Sequence, residues 1–285
     1  MHTVPRHSVD ADFARTQSDS LRQAVENSLA HVEKRSDALG DALWQSVMRT
    51  QYRFAVDPHA AERDTRDSVV LTSQVSGAIF AVSTEPEGTV EYDVGGPVRL
   101  GALGPNRLSS PDNWLVAIWF AIAAQDEERI ALLCSVTPYT MRASGSAVDD
   151  YVHSWIKVLQ TFLRREPVPP ELFKDVVDKT APDALRYSSP EFVAHIAYPP
   201  IKMFYQLLRR DSEKFTDALV QALTLHRDYW SAEGRADRPD GFVALGPLAI
   251  ALLARSSGLE VDVESEYLPG GLLSGEWVRR AEPGA

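Results

Sequence analysis

Between residues 198 and 256 the apolar side chains recur at a period that packed helices satisfy and strands do not. Phe215, Leu219, Ala222, Leu223, His226 and Trp230 fall at i, i+4, i+7, i+8, i+11 and i+15, one stripe along one helix face. Asp211 stands where an N-cap belongs, with Glu213 and Asp217 near the first turns. Upstream, Pro199 and Pro200 have φ preset for a first turn and lack N–H groups a first turn leaves unpaired. They are read as opening a helix through Ile201, Phe204, Tyr205, Leu207 and Leu208 that ends near Arg209 and Arg210. Downstream, residues 237–241 have turn chemistry, and residues 247–254 read as a helix buried nearly all round, stopped by Gly258. Val261 and Val263 then alternate with Asp262 and Glu264 as an extended segment does.

The rest of the chain follows the same logic. Residues 1–17 carry no periodic signal and are expected to be loose, with Ser18 and Asp19 capping a first helix whose stripe is Leu21, Val25, Leu29 and Val32. A second helix carries Leu39, Leu43 and Val47, and a third runs over about residues 60–82. Residues 89–101 hold the one convincing β pattern: Val90, Tyr92 and Val94 alternate with Glu91 and Asp93, Gly95-Gly96-Pro97 turns the chain, and Val98 and Leu100 resume. Residues 101–113 read as a linker. Further helices are expected over about 111–124, 127–136, 147–165, 171–179 and 190–197, the last with Ser189 as N-cap. The expected fold is mostly α: a multi-helix bundle or irregular helical array with one β-hairpin and a short extended segment near 260–264. It is read as a single domain over 1–285; if the chain divides, it divides at 101–113, between residues 1–100 and 111–285.

Charge narrows the partners. With 29 basic and 40 acidic residues the formal net charge is −11, which disfavours nucleic acid and suits a basic protein. The longest apolar run, residues 114–124, is eleven residues, short of the roughly 20 that span a bilayer. The opening residues have no apolar signal core, and the single cysteine, Cys134, lies in an apolar helical run and reads as an inert buried thiol. A cytoplasmic protein without a membrane segment is expected.

Chemistry is sparse. No zinc-hydrolase, nucleophile-elbow, phosphate-loop or paired-cysteine motif occurs, and no two of the seven histidines share a helix face. No catalytic residue, metal or cofactor is expected. His226 lies on the apolar stripe beside Tyr229 and Trp230, where a core histidine with one hydrogen bond is the simplest reading; His153 and His195 are read the same way. Two stretches are acidic and free of basic residues: residues 256–278, holding Glu260, Asp262, Glu264, Glu266 and Glu276, and residues 67–98, holding Asp67, Glu85, Glu87, Glu91 and Asp93. A solvated surface explains either. As a binding surface, the carboxylates of Asp262, Glu264 and Glu266, or of Glu91 and Asp93, would meet a basic partner, with Tyr267 or Tyr92 as aromatic anchors.

Four blocks carry a family resemblance: Tyr-Pro-Pro-Ile-Lys-Met-Phe-Tyr (198–205), Leu-His-Arg-Asp-Tyr-Trp (225–230), Asp-Gly-Phe-Val-Ala-Leu-Gly-Pro-Leu-Ala (240–249) and Val-Glu-Ser-Glu-Tyr-Leu-Pro (263–269). In that order they resemble the immunity 49 family, and the resemblance extends more loosely back to Val4-Pro5-Arg6-His7. It implies a mostly helical antidote, encoded beside a toxin of a bacterial polymorphic toxin system, that binds and neutralises that toxin. It carries over no catalytic residue. Two other classes stay open on the residues alone: an enzyme or ligand-binding protein with a pocket around His226, Tyr229, Asp240 and Glu264, and a helical scaffold or regulatory module, dimeric or not.

Overall fold

Helices begin earlier than the apolar stripe alone predicts. In the computed structural model, which describes residues 2–275, α1 spans Ala11–Leu29. Its cap is Asp10, whose carboxylate accepts from the N–H groups of Asp12 and Phe13 at 3.1 and 2.9 Å. The expected start at Ser18 and Asp19 is therefore too late. Ser18 is fully buried inside the helix and so is Ala14, small residues that extend the stripe without looking apolar. Nor are the first residues loose: His2–Thr3 form a strand, β1.

Helix α2 (Leu39–Val56) packs along α1, and α3 (Arg63–Thr84) along α2. The α2–α3 seam is lined by hydroxyls. Thr50 Oγ1 donates to the Ser68 carbonyl at 3.1 Å, and Thr72 Oγ1 lies 2.9 Å from Thr50 Oγ1. Such side chains satisfy themselves locally, which is why a helix of this composition can be buried. Strands β2 (Thr89–Asp93) and β3 (Pro97–Gly101) form the expected antiparallel hairpin, Thr89 opposite Gly101 and Asp93 opposite Pro97. Gly95 turns it at φ +69°, where a side chain would be strained.

Ser110 caps α4 (Pro111–Ala123), buried nearly all round as its sequence requires. Helix α3 packs on one side of it. The apolar core is continuous from Phe80 in α3 through Trp114 and Phe120 in α4 to residues near the C-terminal end of the described chain. Helices α5 (Glu127–Ser135) and α7 (Asp150–Leu163) pack on α4, α6 (Pro138–Arg142) follows α5 in the chain, and α8 (Pro170–Lys179) packs on α7.

The double proline stands in the first turn of a helix, as expected, but no break precedes it. Helix α9 (Pro190–Phe192) continues through a π turn at Val193–Ala197 directly into α10 (Tyr198–Arg209). The Tyr198 N–H reaches back five residues to the Val193 carbonyl. Pro199 and Pro200 remove two donors, and their rings would crowd an α ladder; a wider turn absorbs both without breaking the rod. Arg210 then adopts a left-handed conformation, φ +55°, and Asp211 caps α11 (Ser212–Trp230) by accepting from the Lys214 N–H at 3.0 Å. All six residues of the α11 stripe are buried. Helix α12 (Leu245–Ser256) packs on α4 and α10. The expected extended segment is β4 (Val263–Glu264), and a last short helix, α13 (Gly270–Ser274), follows.

One buried carboxylate holds the loop before α9. Asp149, 2% exposed, accepts from the N–H groups of Arg186, Tyr187 and Ser188 at 2.6, 3.1 and 2.8 Å. Burial alone would raise its pKa, but these donors outweigh it and hold it below the usual value. A group with a depressed folded pKa stabilises above the unfolded value and loses that contribution as pH falls. Asp149→Ala should therefore cost about 2 kcal/mol at pH 7 in urea unfolding. The difference from wild type should shrink below about pH 4.

Candidate functional site

The acidic stretch after α12 is built on the chain's other end. β4 pairs in parallel with β1, His2 beside Val263 and Thr3 beside Glu264. The His2 N–H donates to the Asp262 carbonyl at 3.1 Å and the Val4 N–H to the Glu264 carbonyl at 3.0 Å. Val263 is buried while Asp262 and Glu264 are exposed, so strand alternation puts both carboxylates on one outward face. Glu260 is exposed as well.

Beneath this edge lies a buried clasp. Arg6 sends Nη1 to the Phe54 carbonyl at 2.8 Å and Nη2 to the Ala55 carbonyl at 3.2 Å. These are last-turn carbonyls of α2, so the guanidinium caps that helix's negative end. Glu266, half-buried, stands 3.7 Å from Arg6; burial pushes the Arg6 pKa down and Glu266 offsets part of that.

The next residue, Tyr267, is fully buried. Its hydroxyl accepts from the His7 N–H at 3.1 Å and lies 2.6 Å from His7 Nδ1. His7 Nε2 faces the Ala236 carbonyl at 3.1 Å. A carbonyl can only accept, so Nε2 carries the proton and Nδ1 accepts from the tyrosine. Burial, with Arg6 adding to it, lowers the His7 pKa and keeps it neutral. Burial also pushes the Tyr267 hydroxyl up to about 12.

His226 packs edge-on against the Tyr267 ring, with centroids 4.8 Å apart. Its Nε2 donates to the Gly241 carbonyl at 3.0 Å. Burial lowers its pKa to about 4. Gly241 must be glycine: a Cβ there would stand 2.7 Å from Trp230 Cγ. This is the satisfied core histidine that its place on the stripe predicts. A pocket around it does not form: His226 is 5% exposed, enclosed by Tyr267, Trp230 and Gly241. Of its supposed partners, Glu264 lies out on the strand edge, and Tyr229 lies under Arg235, 4.0 Å from its ring centroid. Asp240 accepts from Gln51 and Arg238. Among the described residues no group of three or more His, Cys, Asp or Glu could hold a metal ion.

A model of the immunity protein 49 family matches residues 57–272. The chain belongs to that family. No curated protein and no solved structure matches it. The match includes His226, Gly241, β4 and Tyr267 but begins after Arg6 and His7. In this immunity protein 49 member the clasp therefore joins the family region to a segment outside it. No helix among the described residues is long and apolar enough to cross a membrane.

The second acidic stretch of the immunity protein is split by its hairpin. Glu91 is exposed and pairs with Arg99 at 2.8 Å. Asp93 is exposed, with Oδ1 accepting from the Gly96 N–H at 2.9 Å. Tyr92 faces the opposite way. Its hydroxyl is buried against Gly77 without a partner, and Arg129 lies 5.2 Å from its ring centroid. Neither Tyr92 nor Tyr267 is thus a surface anchor. The alternation of β2 that puts Glu91 and Asp93 outside turns Tyr92 inward, whereas Tyr267 lies past the end of β4, in a turn that buries it. Glu276 lies outside the described residues. Nothing in residues 1–17 marks Arg6 and His7 as clasp residues: the segment has no periodic pattern, and it lies ahead of the residues that the family model matches.

Two outcomes follow from the clasp. Tyr267→Phe strips the partner from the backbone N–H and Nδ1 of the half-buried His7 and should cost about 1 kcal/mol in thermal or urea unfolding. Both His7 and His226 have folded pKa values below that of an unfolded histidine. The unfolded state then binds more protons, so stability is full above about pH 6.5 and falls as pH drops toward about 4. Urea titrations over that range should show the fall, and His226→Gln should flatten it.

Proposed function

We propose that this chain is the antidote of a bacterial polymorphic toxin system and neutralises its cognate toxin by stoichiometric association, without catalysis. Membership of the immunity protein 49 family carries the reading. The exposed carboxylates of Asp262 and Glu264, on a strand braced by β1 and the clasp, support a contact with a basic partner. Glu91 and Asp93 on the hairpin offer a second acidic face, and the net charge of −11 favours the same sign of partner. A nuclease has a cationic substrate cleft, and carboxylates spaced along an extended strand can occupy such a cleft as phosphates do. Action in the bacterial cytoplasm, where nucleic acid is found, fits this reading. An interface of roughly 1,200–2,000 Å² is expected.

The test is co-expression with the toxin encoded beside this chain. Wild type should restore growth and co-purify with the toxin at one to one, with an association rate that falls as salt rises. Asp262→Lys with Glu264→Lys should weaken binding by about tenfold or more. Full protection by that double variant together with a salt-independent association rate would refute the acidic edge as the contact. Absence of any complex would refute the antidote reading itself.

A further inference from the structure

The motif at 198–205, which the acidic edge does not use, builds a surface of opposite character. Helices α8 and α10 lie side by side, with Phe173 stacked on Tyr205 at a centroid distance of 5.5 Å. Between them is an open notch of about 340 Å³, floored by Phe173, Val177 and Ile201 and walled by Tyr205, with Lys174 and Lys202 on its lip. No carboxylate lines it, in a chain whose acidic residues outnumber its basic ones by 40 to 29.

The lysines retain binding capacity. Lys174 bonds Asp178 and Lys202 bonds Gln221, but each ammonium has three donors. Tyr205 is 41% exposed, and Arg209 adds a third cation 5.6 Å from its ring centroid. The aromatic wall is backed by Phe204, which lies 6.5 Å from Phe173 and is fully buried, so it cannot collapse to close the notch. Small-molecule pockets run from about 300 to 1,000 Å³, and this space is at the lower bound. It suits one large side chain. Tyrosine-walled recesses with a charged rim are where such anchors bind.

We infer that the notch between α8 and α10 is a docking site for a protein segment that presents one apolar side chain flanked by carboxylates. The anchor enters between Phe173, Ile201 and Tyr205, and its flanking carboxylates meet Lys174 and Lys202. The charge of the notch is opposite to that of the Asp262–Glu264 edge, so its occupant is an acidic segment distinct from the basic surface that the edge takes. The inference does not depend on the partner being a toxin.

The experiment uses the intact chain without toxin, so its failure and that of the antidote reading are separable. Backbone amide spectra of the ²H,¹⁵N-labelled chain are recorded with three blocked tripeptides: Glu-Phe-Glu, Lys-Phe-Lys and Glu-Ala-Glu. Saturable shifts confined to α8 and α10 with Glu-Phe-Glu, at least about fivefold weaker with either other peptide, are expected. Lys202→Glu and Tyr205→Ser, exposed changes whose folding is checked by an unchanged melt, should each weaken Glu-Phe-Glu binding to a similar degree. Equal binding of Lys-Phe-Lys, shifts mapping elsewhere, or no saturable shift with Glu-Phe-Glu would overturn the inference.

Discussion

The arrangement at the C-terminal end of the family region depends on the hydroxyl of Tyr267. It is buried, and a buried hydroxyl without partners costs more than most contacts return. His7 supplies both partners from 260 positions away. To do so the first residues must run past β4, which creates the parallel strand pair and brings Arg6 onto the last carbonyls of α2. The same tyrosine ring packs on His226, whose imidazole holds the turn at Gly241 before α12. One side chain thus sets where the N-terminal segment, α2, α11 and the acidic edge meet.

Two surfaces of this chain differ in charge. The β4 edge and the outer hairpin face carry carboxylates, and the notch between α8 and α10 carries lysines over an aromatic floor. Both arise from ordinary periodicity. A strand with acids at alternate positions must show them together, and a helix with Tyr198, Lys202 and Tyr205 spaced at three and four residues must place them along one face. The interior shows the reverse. Thr50, Thr72, His226 and Asp149 there each have a hydrogen-bond partner, which limits what burying them costs.

Much of this was legible in the sequence where one signal dominated. The α11 stripe, the Asp211 cap, the hairpin at 89–101 and the buried α4 each follow from period or capping chemistry alone, and so does the burial of His226. What was not legible depends on distant segments. Residues 2–7 have no periodic pattern, and their order comes from Glu264 and Tyr267. The early start of α1 hides in Ala14 and Ser18, which are buried because they are small. The double proline opens α10 as its sequence signals, but that a π turn at Val193–Ala197 joins it to α9 without a break was not legible from the prolines alone. At the acidic stretches the positions of the carboxylates were legible, and so was the inward turn of Tyr92 from the alternation of β2, but Tyr267 lies in a turn past β4 and its burial depends on the distant His7.

The order in which the chain leaves the ribosome gives the clasp a further meaning. Arg6 and His7 are made some 260 residues before Tyr267, and β4 emerges just ahead of Tyr267. Until they do, β1 has no strand to pair with and His7 has no hydroxyl to hold. Closing so long a loop carries an entropic cost that nothing local can offset earlier. The strand that presents Asp262 and Glu264 is therefore braced only once residue 267 has emerged, and a chain cut before it displays no such braced edge.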